Sequence, residues 1–190
     1  FKYLYVEIMG KHSNIIFCNE DNMILDSIKH IPSSVSSVRE VLPGRDYFIP
    51  GQEGKVNPLK ADASFIKSHV LKRSDSVYKA IMSSFIGISP TIANEICYRA
   101  GIDSDASCAS LFDEHKDKII SVFNDIMDSL KTNSYCYNII FDKSNNKPIE
   151  YAPIQLTMYF DQDSKEYDSM SEVLVEFYAK RNAYTNIRQK

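Results

Sequence analysis

The sequence predicts an α+β protein in which a β portion, a helical unit, a second small β unit and a terminal helix follow one another. Three observations carry this. Residues 3–42 are rich in aromatic and β-branched residues broken by short polar turns. Residues 59–132 place apolar residues at three- and four-residue steps behind plausible Asp caps. From Ser134 the apolar period falls to two, until helical spacing resumes near Met170. The expected segments are therefore 1–58, 59–132, 133–168 and 169–190.

The first strand is expected over Tyr3–Met9, broken at Gly10 by the polar turn Lys11-His12-Ser13-Asn14 before Ile15, Ile16 and Phe17 resume extended chain. Cation, imidazole, hydroxyl and amide in one turn can each donate a hydrogen bond to an anionic oxygen, although an ordinary solvated turn has the same composition. A turn at Glu20–Asn22 precedes a further strand in Met23–Ile31, which stops at Pro32. Val35, Val38 and Val41 in the serine-rich run that follows suggest another extended piece, with Arg39 on its polar face. The plain reading of Arg39 is a charge pair with Glu40 or Asp26.

Pro43 to Pro58 is dense in Pro and Gly, which marks a linker. Asp62 is expected to cap a helix over Ala63–Leu71, and Asp75 another over Ser76–Phe85. Lys67, His69, Lys72, Arg73 and Lys79 make a basic cluster there, usually a solvated face. Next, F-I-G-I-S-P-T-I-A-N-E-I (Phe85–Ile96) reads as helix, tight turn, helix, with Pro90 at the first helical position. It resembles a helix-hairpin-helix, whose turn, here Gly87-Ile88-Ser89, can hold a phosphate on free backbone N–H groups. The usual second glycine is Ser89 here, and a hairpin that merely packs is the alternative. Leu111–Leu130 is an amphipathic helix that belongs to the core. Tyr137, Ile139 and Phe141 alternate as a strand, Ser144-Asn145-Asn146 turns, and Ile149–Tyr151 and Ile154–Phe160 are expected to supply more strand. The last stretch, Met170–Lys190, is helical, with Ser169 or Ser171 as cap.

At 190 residues the chain suffices for one domain or two small ones. The net charge of −3 excludes a broad basic field: residues 1–100 hold 12 Lys+Arg against 10 Asp+Glu, and residues 101–190 hold 10 against 15. Any phosphate-binding face is expected in the first half and should be local. No apolar run approaches the roughly 18 residues of a membrane span, so no membrane insertion is expected. Cys18, Cys97, Cys108 and Cys136 contain no C-x-x-C pair, and His12, His30, His69 and His115 are scattered. Reduced thiols and no zinc are expected. There is no G-x-S-x-G, P-loop or H-E-x-x-H, so the expectation is a non-enzyme without cofactor. A chain that opens on Phe1 and closes on an unfinished helical pattern is expected to be an excised piece.

Three stretches carry a resemblance: E-I-M-G-K-H-S-N (Glu7–Asn14), I-L-D-S-I-K-H (Ile24–His30) and S-V-S-S-V-R-E-V-L-P-G-R-D-Y (Ser34–Tyr47). Together with S-M-S-E-V-L-V-E-F-Y and N-I-R-Q-K near the end, they resemble the N-terminal domain of the NFACT family, which includes bacterial RqcH and eukaryotic NEMF proteins. The resemblance implies a fold similar to the N-terminal domain of formamidopyrimidine-type DNA glycosylases, without their four-cysteine finger, and makes 169–190 the start of a coiled-coil arm. It implies a cytoplasmic, ribosome-associated factor that binds the obstructed large ribosomal subunit and tRNA and directs C-terminal alanine tailing of stalled nascent chains. Peptide transfer itself would belong to the ribosome. In that picture Glu7, Ile8 and Met9 match a segment implicated in tRNA contact, with Lys11, His12, Ser13, Asn14 and Arg39 beside them. Glu7 would accept from cytosine N4, guanine amines or a ribose hydroxyl. Glu7→Ala with Met9→Ala is then expected to weaken tRNA binding more than folding. The older family name, fibronectin-binding protein, supplies a second hypothesis, a surface adhesin for fibronectin or fibrinogen. The residues give it no secretion signal, anchor or repeat array. An interaction scaffold is the third.

Overall fold

The computed structural model describes residues 1–49 and 54–187, with side chains to residue 184. The chain divides into two compact units, Phe1–Glu53 and Gly54–Lys190.

The first unit is built on a three-stranded antiparallel sheet of β1 (Tyr3–Glu7), β2 (Asn14–Cys18) and β3 (Ile24–Ser27) in that order. Tyr3 faces Cys18 and Glu7 faces Asn14, so the pairing closes two residues before the expected end at Met9. The reason is local. Gly10 turns to φ +56°, a conformation that suits glycine, and starts the 3₁₀ turn Gly10–His12. The Met9 amide donates to Ser13 Oγ at 2.9 Å and the Ser13 amide to the Gly10 carbonyl at 3.0 Å, which closes the connection. Between β2 and β3, Asn19 Oδ1 accepts from the Asp21 and Met23 amides, fixing the expected turn.

The serine-rich run is not the strand that its valines suggest. Residues 32–40 form an arm of turns, pinched at its neck by a bridge between Ile31 and Val41. Ser36 Oγ accepts from the Val38 and Arg39 amides, so a side chain takes donors that a sheet ladder would need. The core is small: Ile16, Cys18, Ile24 and Val41, with Tyr5, Ile31 and Tyr47 packed against them.

The second unit takes up the chain from Gly54, because Val56 bonds the Ser84 carbonyl and pairs with Phe85. Asp62 caps α1 (Ala63–Phe65) by accepting from the Phe65 amide at 2.7 Å, and the helix continues as a π-helical turn, Ile66–Val70. In α2 (Val77–Ser84) the expected Asp75 cap does not form. Asp75 pairs instead with Arg73 Nε at 2.9 Å, and the first amides, of Val77 and Tyr78, donate to the Ala106 and Ser104 carbonyls. A neighbouring loop thus does what a capping side chain was expected to do. α3 (Pro90–Arg99) and α4 (Asp113–Lys131) complete the helical core around Phe85, Ile96, Ile119 and Phe123. The basic cluster is partly spoken for: Lys67 pairs with Asp117 at 3.0 Å, and Lys79 lies over the Tyr78 ring.

The second sheet has the order β5-β4-β6, with β4 (Tyr137–Phe141), β5 (Pro148–Ala152) and β6 (Asp163–Tyr167). β4 is covered on both faces. Ile140 joins the helical core, whereas Ile139 and Phe141 pack with Val173 and Phe177 of α5 (Met170–Ile187), which Ser169 caps through the Glu172 amide. Ile154–Phe160 is not strand: it contains the 3₁₀ turn Thr157–Tyr159. The third strand is instead D-S-K-E-Y, a charged, exposed edge whose residues carry no apolar alternation. Among the described residues no helix is long and apolar enough to cross a membrane.

Candidate functional site

The expected contact residues of the first unit gather at one end of its sheet, but they do not all face outward. Ile8 and Met9 follow β1 and are 88% and 43% exposed; Lys11 and His12 are exposed on the 3₁₀ turn. Ser13 is half-buried and holds the Met9 amide. Asn14 lies inside. It is buried in β2, donates to the Lys29 carbonyl at 2.9 Å and accepts from the Lys29 amide at 2.9 Å, so it joins β2 to the segment after β3.

Glu7 and Arg39 also turn inward, towards each other. Their carboxylate and guanidinium form an ion pair. Arg39 donates in addition to the Phe48 carbonyl at 2.6 Å, and Tyr47 donates its hydroxyl to Glu7 at 3.1 Å. The Arg39 guanidinium stands 5.6 Å from the centroid of the Tyr47 ring, which stacks on Tyr5 at 3.9 Å. Burial first, then the bond to Glu7, pushes the Tyr47 phenol above its usual range. The pairs expected for Arg39 are made by others: Glu40 with Arg45 at 2.7 Å, and Asp26 with His30 at 2.8 Å.

Above this lies a groove of about 360 Å³ lined by Met9, His12, Ile31, Val35, Val38 and Arg39. Its walls are mainly apolar, with the His12 imidazole at the rim. Lys11 stands next to it in sequence, and Lys29 Nζ donates to the Lys11 carbonyl at 3.1 Å, which brings a second cation to the same turn. Such a groove suits a flat, weakly polar group with an anion at its edge. Residues 1–53 carry five Lys+Arg against seven Asp+Glu, so no broad basic field helps an anion here and any help must be local. Tyr47 has no local sequence pattern linking it to Glu7, 40 residues away; only the fold joins them.

The second expected site is in the other unit. Gly87 takes φ +76°, as its turn requires, Ile88 is buried and Ser89 caps α3 by accepting from the Ile92 amide at 3.3 Å. Proline at the first helical position offers no N–H, and Thr91 Oγ1 donates to the Glu150 carboxylate at 2.8 Å. An anion from the chain itself thus stands beside the positive end of α3. Sequence reasoning missed Glu95, fully buried on α3. It accepts from the Thr157 amide at 2.8 Å, the Thr157 hydroxyl at 2.6 Å, the Met158 amide at 2.9 Å and Arg99 Nε at 2.7 Å. Its position within an amphipathic helix is the one cue that the sequence offers.

Residues 1–190 match the family described as NFACT N-terminal and middle domains. Among curated relatives, the chain is 32% identical over 188 residues to "Rqc2 homolog RqcH" of Bacillus subtilis, covering 98% of this chain and 30% of that protein. It is 28% identical over 170 residues to the Streptococcus suis protein of the same name, covering 89% and 29%. The chain thus spans about a third of the length of these relatives. Its structure is similar to that of the fibrinogen binding protein from Staphylococcus aureus, with a TM-score of 0.69, 26% identity, and 93% of this chain and 59% of that one covered. The N-terminal part of the fibronectin/fibrinogen-binding protein from Streptococcus suis shares the fold at a TM-score of 0.60 and 24% identity, over 93% and 56%.

Proposed function

The chain belongs to the NFACT N-terminal and middle domain family, and from that membership we propose that it is the tRNA-gripping part of a ribosome-associated quality-control factor. Such a factor binds the large ribosomal subunit that carries an obstructed nascent chain, recruits tRNA, and directs addition of a C-terminal alanine tail. The relatives named Rqc2 homologues support the class of activity. The observation that carries the reading to residues is the groove with Met9 and Val38 as walls and Lys11, His12 and Lys29 at one corner. A flat base against apolar walls and a phosphate beside two cations would satisfy both halves of it. Ile8, Met9, Lys11 and His12 are the contacts, with Ser13 and Asn14 shaping the turn that presents them.

The reading places no bond-breaking chemistry on this chain, since peptide transfer belongs to the ribosome, and it places the protein in the cytoplasm. The Gly87–Ser89 hairpin enters as a secondary backbone contact, with less support, because Glu150 already stands at the α3 end. The likeness to formamidopyrimidine-type glycosylases is part of the same proposal; a helix–turn–helix followed by an antiparallel hairpin supports it.

The names of the two solved neighbours favour a second reading, an adhesin for fibrinogen or fibronectin. Sucrose-gradient sedimentation of the tagged chain with stalled large subunits separates the two. Migration with the subunit, lost on Ile8→Ala/Met9→Ala in a folded protein, supports the quality-control reading. A chain that stays at the top with stalled complexes present, yet captures fibrinogen, supports the adhesin.

A further inference from the structure

Glu7 lies at the end of β1 and Arg39 near the end of the 32–40 arm, yet their side chains meet with only 9% and 7% of their surface exposed. At its far end the arm is held by the Glu40–Arg45 ion pair at 2.7 Å, and from Pro32 to Arg39 it has little else. Its Val35, Ser36, Val38 and Arg39 amides donate to Pro32 and Ser36, within the arm itself. Val35 and Val38 are 74% and 63% exposed and bury little apolar surface. The Ile31–Val41 bridge closes the neck but does not orient the tip. Among the bonds described for Pro32–Arg39, those that reach the rest of the unit are made by Arg39, to Glu7 and to the Phe48 carbonyl.

The groove is lined by Met9 and His12, which follow β1, by Val35, Ser36, Val38 and Arg39 of the arm, and by Ile31 at its neck. The Glu7–Arg39 pair therefore ties the arm's lining residues to the end of β1. We infer that Glu7 is a positioning residue: it holds the arm through Arg39, and so sets the groove's shape, rather than touching a ligand itself. Both its oxygens are occupied, one by Arg39 and one by Tyr47. Loss of the carboxylate leaves a buried guanidinium without its counter-charge, and the guanidinium's way to water is to carry the arm outward. The inference rests on the RNA reading of the groove and deepens it by giving Glu7, one of the expected contact residues, an indirect role.

The test uses the whole chain, bulk deacylated tRNA as probe, and four forms: wild type, Glu7→Gln, Arg39→Gln and the charge exchange Glu7→Arg/Arg39→Glu. Amide hydrogen exchange of residues 33–40 in the free protein is read beside tRNA affinity. Each single substitution should leave the arm in place about a tenth of the time, so that its amides exchange at close to the unprotected rate while β1–β3 keep their protection. Affinity should then weaken about tenfold. The exchanged pair should recover both. If Glu7→Gln weakens binding and leaves arm exchange unchanged, or if the exchanged pair recovers arm protection without affinity, Glu7 is a direct contact and the inference fails. If wild type binds no tRNA, the functional reading falls, and arm exchange alone decides whether Glu7 positions the arm. Should Glu7→Gln lose β1–β3 protection, the exchanged pair decides: an ordered arm in it supports the inference, and a loose one overturns it.

Discussion

Tyr47 donates its hydroxyl to the Glu7 carboxylate at 3.1 Å while its ring stacks on Tyr5 with centroids 3.9 Å apart. One residue thus closes the polar and the apolar halves of the first unit's interior. Tyr47→Phe keeps the stack and removes the donor. The expected loss is about 1 kcal/mol, because a net hydrogen bond is worth roughly that and Arg39 still serves the carboxylate. Urea melts followed by tyrosine fluorescence measure it. The phenol's pKa is raised in the fold, so the stability it adds is present below the ordinary tyrosine range and lost as pH rises through the folded value. Wild type should therefore weaken above about pH 10 more than Tyr47→Phe does.

In the second unit the Glu95 carboxylate, at 0% exposure, fastens the Thr157 turn to α3. Glu95→Ala leaves two amides and Arg99 without their acceptor. About 3 kcal/mol of stability should be lost. Calorimetry measures the loss; a change below about 0.5 kcal/mol, the size of an ordinary surface substitution, would mean that water replaces the carboxylate freely.

The four thiols are free, and each is harder to ionise than usual. Cys97 is pushed up to about 12, mainly by burial and then by Cys108 and Asp103. Alkylation of the native protein at pH 8 should spare Cys97 and reach the half-buried Cys136 first, as peptide mass mapping would read out. Because an unfolded thiol ionises near 9, Cys97 favours the fold below that pH and loses this contribution as pH climbs towards 12.

The α+β class and most of the elements were legible from periodicity, since β4 and α4 bury faces that their apolar spacing announces. β6 was not, because a charged edge strand has no apolar face to show. The serine-rich arm read as extended chain because β-branched Val35, Val38 and Val41 recur along it, although Ser36 takes the amides that a ladder would use. At the candidate site, the residues singled out in the sequence lie together at one end of the sheet, but three of them turn inward. Glu7, Asn14 and Arg39 are polar and look available, but their partners, Tyr47, Lys29 and the Phe48 carbonyl, arrive only when the chain folds. Glu7→Ala is therefore a poor probe of contact, whereas Ile8 and Met9 are exposed enough to change without disturbing the core.

The claim that this corner grips RNA is tested most directly by equilibrium binding of the chain to tRNA, with Ile8→Ala/Met9→Ala as the variant and a salt series for each. The account predicts binding that the variant weakens about tenfold or more at unchanged melting temperature, the apolar surface that two such side chains cover being worth roughly 1.5–3 kcal/mol. It also predicts a shallow slope of log K against log salt, about −1 to −2, since the reading gives phosphate contact to two cations, Lys11 and Lys29, which share one turn. Affinity that the variant leaves unchanged, or lost only in step with melting temperature, would contradict it.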